Sequence, residues 1–404
     1  MEIGFINFNQ DALNRANKVM MLLQGQGAID ELGLGRIRDA FSNFLFPGMS
    51  TLQTRAKYFL LLPALYAYLE KTKISDAGDA REKVRLNEIS LTKRLDKGTT
   101  EDDRKGIIGA ENLRKNGSFV KYDPAYVYQA GMETYGLIQT GGNLYRLLAE
   151  CSNKFQNFPK KQKGNDEIEG DAEDLAGIRP VFLTCGEIYD FKGKDPMPIS
   201  LSFKEASFLR SQIVKTTPGS MINILLDSDL FEKAKHCDFE TLGEEVLEGH
   251  IPDKLYDIYV LARRYSRFAY LLRIRYALLY DKAVGADEAK EKEEIFFNFL
   301  NLHKTEFAPQ AIEEIVNFAS GVSDISCKVF CREAARLIYN NDWEALDKLL
   351  IDREIEIKTL KRSKLINAHE YEKGKPFAVA PPMSFRWNTI VRRVLTEISE
   401  GLKK

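Results

Sequence analysis

The residues closest to catalytic chemistry are Asp352-Arg353-Glu354-Ile355-Glu356-Ile357-Lys358. An acid followed by Glu-x-Lys serves a nuclease when the Glu and the Lys project from one strand toward a shared metal ion. Here Leu349, Leu350 and Leu360 continue helical spacing on both sides. On a helix, Glu354 and Lys358 are an i,i+4 ion pair, and Asp352, Glu356 and Lys358 are not expected to hold a metal. Cys327 and Cys331 share a helix face at i,i+4. Zinc would need two further ligands, with His236 and Cys237 the local candidates, whereas two buried thiols need none. His236, His250, His303 and His369 form no short metal motif. Gly25-x-Gly27 and Gly33-x-Gly35 lack the strand and third glycine of a dinucleotide loop, and there is no Walker A sequence. No catalytic residue, metal site or cofactor is predicted.

Two further groups could meet a polyanion. Ser50, Thr51 and Arg55 follow the Phe46-Pro47-Gly48-Met49 turn. At a helix N-terminus, hydroxyls and backbone N–H groups can take a phosphate, with Arg55 alongside. The same hydroxyls serve equally as plain N-caps of the apolar helix expected from there to Lys71. Arg263, Arg264, Arg267 and Arg275 fall within an arc of about 120° on one helix, interleaved with Tyr265, Phe268, Tyr270 and Tyr276. Such a stripe can track a nucleic-acid backbone. Because that helix is apolar on nearly every side, pairing with the acidic middle of the chain is the plainer expectation.

The elements that would position these groups are mainly helical. Helical spacing is predicted over Asp30 to Phe46, Ala80 to Asp96, Asp102 to Lys115, Asp123 to Tyr135, Leu255 to Ala283 and Trp343 to Leu365, with a closing helix from Trp387 to Leu402. Ser202 and Glu205 fit a capping box. Residues 2–9 alternate like a strand, and Asn9 or Asp11 would cap a helix through Leu23. The stretch from Tyr128 to Leu147 reads as a helix ending in Tyr135-Gly136-Leu137-Ile138, then a hairpin about Gly141-Gly142, where two residues can take positive φ. That order predicts a winged-helix-like unit with a small β-hairpin in the N-terminal half. The expected domains are 1–75 (helical), 76–157 (winged-helix-like), 158–178 (a polar linker or mobile loop) and 179–404 (helical).

In a winged helix the second helix enters the major groove and the wing touches the backbone. Arg114, Lys115, Lys121 and Arg146 would contact phosphates, with Tyr126 and Gln129 on the reading helix. Winged helices also dock proteins, so duplex DNA and a protein partner both stand as expectations. The chain has 404 residues and a net charge of −1, made of about +2 over 1–150, −8 over 151–350 and +5 over 351–404. Basic ends permit a polyanion partner without requiring one. The longest apolar run, Tyr58 to Leu69, is too short to span a bilayer. Five scattered cysteines and an acidic start without a basic n-region give an expectation of a reducing cytoplasm and no membrane.

Asp30-Glu31-Leu32-Gly33-Leu34-Gly35-Arg36-Ile37-Arg38-Asp39-Ala40-Phe41 followed by Phe46-Pro47-Gly48-Met49-Ser50-Thr51-Leu52-Gln53-Thr54-Arg55-Ala56-Lys57-Tyr58-Phe59 resembles the N-terminal signature of an uncharacterised prokaryotic family, a domain of unknown function. The resemblance continues through Gly106-Ile107-Ile108-Gly109, Tyr135-Gly136-Leu137-Ile138, the Arg-rich helix and Phe385-Arg386-Trp387. It implies no established activity. It implies an association with mobile defence loci, beside helicases and phospholipase-D-like nucleases. The expected function is a non-catalytic nucleic-acid-binding or scaffolding subunit of a defence complex. Its alternatives are a nuclease-like enzyme with a non-contiguous site and a protein adaptor.

Overall fold

The computed structural model describes residues 30–157, 181–322, 324–371 and 373–404. The expected strand at 2–9, the helix after it and the linker at 158–178 lie outside these residues. The chain divides into two compact units. The second unit takes its first described helix, α1 (Gly35–Leu45), from the start of the signature. The first unit comprises Pro47–Ser228 and Thr389–Lys404.

The first unit is built round α2 (Tyr58–Leu69). Its sequence is apolar on all sides, so the helix is buried on all sides, from Tyr58 and Phe59 to Tyr66 and Leu69. Around it pack α3 (Ala77–Gly98), α5 (Pro124–Thr134), α6 (Leu144–Asn157) and α7 (Phe203–Thr216), while the short α4 (Ala110–Asn116) rests on α3. Asp76 caps α3 by accepting from the Gly78 and Asp79 N–H groups at 2.7 and 2.9 Å. The capping box predicted at Ser202 and Glu205 opens α7. α8 (Met221–Asp227) follows, and α15 (Arg392–Gly401) packs on α7. A Cβ at Gly401 would sit 2.6 Å from that of Ala206, so the small residue permits the approach.

Three expectations fail in this unit. The helix expected over Asp102 to Lys115 is a 3-10 turn at Asp102–Arg104, and α4 starts only at Ala110. Ser50 and Thr51 do not cap α2, which begins seven residues after Thr51, at Tyr58. The intervening segment is held off the helix by hydrogen bonds to side chains elsewhere in the unit, described below. The winged-helix hairpin is also absent. Gly141 and Gly142 do take positive φ, but Asn143 then caps the Arg146 N–H at 3.1 Å and starts α6. The segment expected as the second strand is the first turn of a helix. Among the described residues there is no strand, and Ile138 makes a single antiparallel bridge to Phe182.

The second unit is built round α10 (Asp253–Val284), which the periodicity located within two residues at its N-terminus. Gly285, at φ +71°, terminates it in the left-handed conformation. α1, α11 (Ala289–His303), α12 (Pro309–Phe318) and α14 (Trp343–Lys358) pack on it, with α13 (Ile325–Tyr339) between α12 and α14. A short α9 (Leu230–Ala234) precedes them. Trp387 is fully buried, stacks on Phe46 at 5.8 Å and donates its indole N–H to the Cys237 carbonyl. Among the described residues no helix is long and apolar enough to cross a membrane.

Candidate functional site

The segment after the Pro47-Gly48 turn is fastened residue by residue. Gln53 accepts from the Ser50 N–H and donates to the Gly48 carbonyl, each at 3.0 Å. The Tyr128 hydroxyl accepts from the Thr54 and Arg55 N–H groups at 2.8 and 2.9 Å and donates to the Arg55 carbonyl. Arg55 is buried, pairs with Glu397 and donates to the carbonyls of Asp103 and Lys105. Glu397 also accepts from the Ala56 N–H, and burial holds its carboxyl above the usual range despite Arg55. Lys57 pairs with Glu205 at 2.6 Å, both buried, and Tyr189 donates to the same carboxylate. Tyr58 accepts from the Ile108 N–H at 2.9 Å. Gly48, at φ +79°, lies under the Tyr135 ring, where a Cβ would come within 2.6 Å. Of the three residues expected at a phosphate, Ser50 and Arg55 are turned inward and Thr51 is exposed.

The residues expected at DNA lie on α4, α5, α6 and the loop between α4 and α5. Arg114 sits 3.5 Å from Asp96, Lys115 pairs with Glu111, and Arg146 pairs with Glu150 at 3.0 Å. The Lys115 hydrogen bond holds Glu111 below the usual carboxylate range. Lys121 lies over the Tyr122 ring at 5.5 Å, and Tyr122 contacts Tyr126. Gln129 donates to Glu133.

A buried acid centre between α3, α5 and α6 was missed from sequence. Glu88 is 1% exposed. One oxygen accepts from the Ala125 N–H at 2.6 Å, and the other has no hydrogen-bond partner. The hydroxyl of Tyr66, on α2, is buried and likewise unpartnered. Burial, and then the charge of Asp123, push the Glu88 carboxyl well above its ordinary value. Burial also raises Asp123, which caps α5 and lies 3.7 Å from Arg85. The signal was present: Ala80, Val84, Glu88, Leu91 and Leu95 form the apolar face of α3, with a glutamate in the middle.

In the second unit the Asp352 to Lys358 run is helical, as its flanks predicted. Glu354 is fully buried and accepts from the Tyr276 and Ser363 hydroxyls at 2.6 and 2.7 Å. It also accepts from the Lys364 and Leu365 N–H groups at 2.9 and 3.1 Å and from Lys358 at 2.9 Å. Glu31 pairs with Lys358 and Lys364, and Arg353 donates to the Leu32 carbonyl, which ties this centre to the Asp30–Gly33 end of the signature. Four of the five arginines of α10 are paired, Arg263 with Glu244, Arg264 with Glu314, Arg267 with Glu240 and Glu306, and Arg275 with Asp347, while burial lowers the pKa of the fifth, Arg273. Cys327 and Cys331 are buried free thiols, and the Cys331 thiol is pushed well up by its hydrogen bond with Cys327 and by burial. Among the described residues no group of three or more His, Cys, Asp or Glu could hold a metal.

Fold and site together define a multi-helical protein in which many polar signature residues, Glu31, Asp39, Gln53, Arg55 and Lys57 among them, are buried. Residues 1–175 match the model of a family of unknown function, DUF6361. The match takes in both halves of the signature and ends before the Arg-rich helix and Phe385-Arg386-Trp387. No curated protein and no solved structure matches the chain.

Proposed function

We propose that the chain is a non-catalytic scaffolding subunit of a prokaryotic defence complex, holding a helicase or nuclease encoded beside it. The partner class comes from the family resemblance. The observation that carries the scaffolding reading is the direction in which polar and apolar groups point. Glu31, Arg55 and Lys57 of the signature and Arg353 and Glu354 of the later run bond inward, whereas Ile325 and Val329, one turn apart on α13, are 73% and 56% exposed. Two exposed apolar side chains on one helix face are suited to cover by a partner. The test is co-expression of the tagged chain with the products of its flanking genes, purified with and without nuclease. A complex that survives nuclease and is lost in the Ile325→Glu, Val329→Glu double variant supports the reading. A chain that elutes alone, or is held only through nucleic acid, contradicts it.

One observation favours duplex DNA as a second reading. Lys121 lies over the Tyr122 ring and among the described residues has no carboxylate partner, which leaves its charge for a backbone phosphate. Arg114, Lys115 and Arg146 already face carboxylates and would have to exchange them for phosphates. Binding through such contacts is steeply salt-dependent and weakly sequence-specific. Fluorescence anisotropy on two unrelated duplexes should show Lys121→Glu weakening both by a similar factor; no binding at low salt rejects this reading.

A further inference from the structure

Away from the buried centres, the first unit has a hollow of about 350 Å³ on the solvent side of α7. Ser207, Arg210, Ser211 and Lys215 line it at i, i+3, i+4 and i+8, so one helix face supplies four hydrogen-bond donors. Leu402 and Val214 add apolar surface, and Asp227 stands at one side. Arg210 is fixed in place, because its Nε donates to the Leu226 carbonyl at 2.7 Å. Its approach to Asp227, at 3.9 Å between exposed groups, is a weak pair that leaves the guanidinium available. The described residues give the Ser207 and Ser211 hydroxyls and the Lys215 ammonium no hydrogen-bond or ion-pair partner. Two cations against one carboxylate leave the lining with one positive charge in excess.

We propose that this hollow binds a small organic oxyanion of single charge. Its oxygens meet the Arg210 fork, Lys215 and the two serine hydroxyls, and its apolar body rests on Val214 and Leu402. The hollow is open to solvent on one side, and the pre-positioned guanidinium suits a planar or tetrahedral oxyanion. Asp227 disfavours a dianion, since a second negative charge would meet the carboxylate without a cation to match it. A phosphodiester and a carboxylate share this chemistry.

Saturation-transfer NMR on the full chain, at constant ionic strength, separates the two sources with dimethyl phosphate and isobutyrate as probes. Binding of either probe with affinity lowered about tenfold or more in the Ser211→Ala, Lys215→Ala double variant supports the site, since hydrogen bonds to a charged group are of that strength. Both residues are exposed, and an unchanged melting temperature verifies that the variant folds. The probe that binds more tightly identifies the ligand class. Failure of both probes to bind, or equal binding by the double variant, overturns the proposal. Neither result bears on the scaffolding reading, which is tested on other residues.

Discussion

Each unit buries a glutamate in its core, and the two are treated in opposite ways. Glu354 in the second unit is surrounded by five donors from Tyr276, Lys358, Ser363, Lys364 and Leu365. Glu88 in the first unit has one backbone N–H and a second oxygen with no partner. A buried charge is tolerated when its lone pairs are filled and is neutralised when they are not. Glu354 therefore acts as a connector that draws three segments together. At Glu88 burial penalises the charged form, which favours the protonated acid.

Breaking the first of these should have the largest effect. Glu354→Ala leaves the Tyr276 and Ser363 hydroxyls and two backbone N–H groups without this acceptor, with Lys358 keeping only Glu31, and should cost about 3–5 kcal/mol. Urea unfolding, followed by hydrogen exchange in the second unit, measures it. Tyr128→Phe comes next. It removes the acceptor for the Thr54 and Arg55 N–H groups and should cost about 1–3 kcal/mol in the first unit.

The Glu88 side of the comparison is read through pH. Its folded pKa is raised, so between the ordinary carboxylate value and the raised one the folded state holds a proton that the unfolded state has released. Stability should therefore fall as pH rises through that window, by up to about 1.4 kcal/mol per pH unit. Glu88→Gln should flatten this slope, leaving the contributions of Asp123, Glu397 and Glu70, whose carboxyls burial also raises, and a slope unchanged by the substitution would contradict the assignment. The smallest effect belongs to the surface. Arg146→Ala should change stability by no more than about 0.5 kcal/mol, because its pair with Glu150 is exposed on both sides. Thermal melts check this.

Much of the helical content was legible because apolar periodicity is a local property. The extent of α10 and the capping box of α7 needed only neighbouring residues. The start of α2 was not legible. Its hydroxyl pair has the composition of a cap, but the Tyr128 hydroxyl, 74 residues from Thr54, holds the preceding N–H groups in another conformation. The hairpin failed for a related reason. Gly141-Gly142 makes the turn, yet the few residues after it fit a strand or a first helical turn equally, and the N-cap at Asn143 decides between them. The signature showed where the chain is distinctive and not what its residues touch. Arg55 fits a phosphate contact in sequence, and its partner is Glu397, near the other end of the chain. Glu88 could have been found, since a carboxylate in the middle of an apolar helix face is itself a signal.

The central claim is that the buried acids of this protein serve its fold. Infrared difference spectroscopy of wild type against Glu88→Gln at pH 7 tests it most directly. The prediction is a protonated-carboxyl stretch in the wild type that is lost in the variant. If the wild type shows no such band and the variant removes only carboxylate absorption, Glu88 is ionised in the core. A bound cation would then have to face its free oxygen, and the centre would be a binding site, contrary to this account.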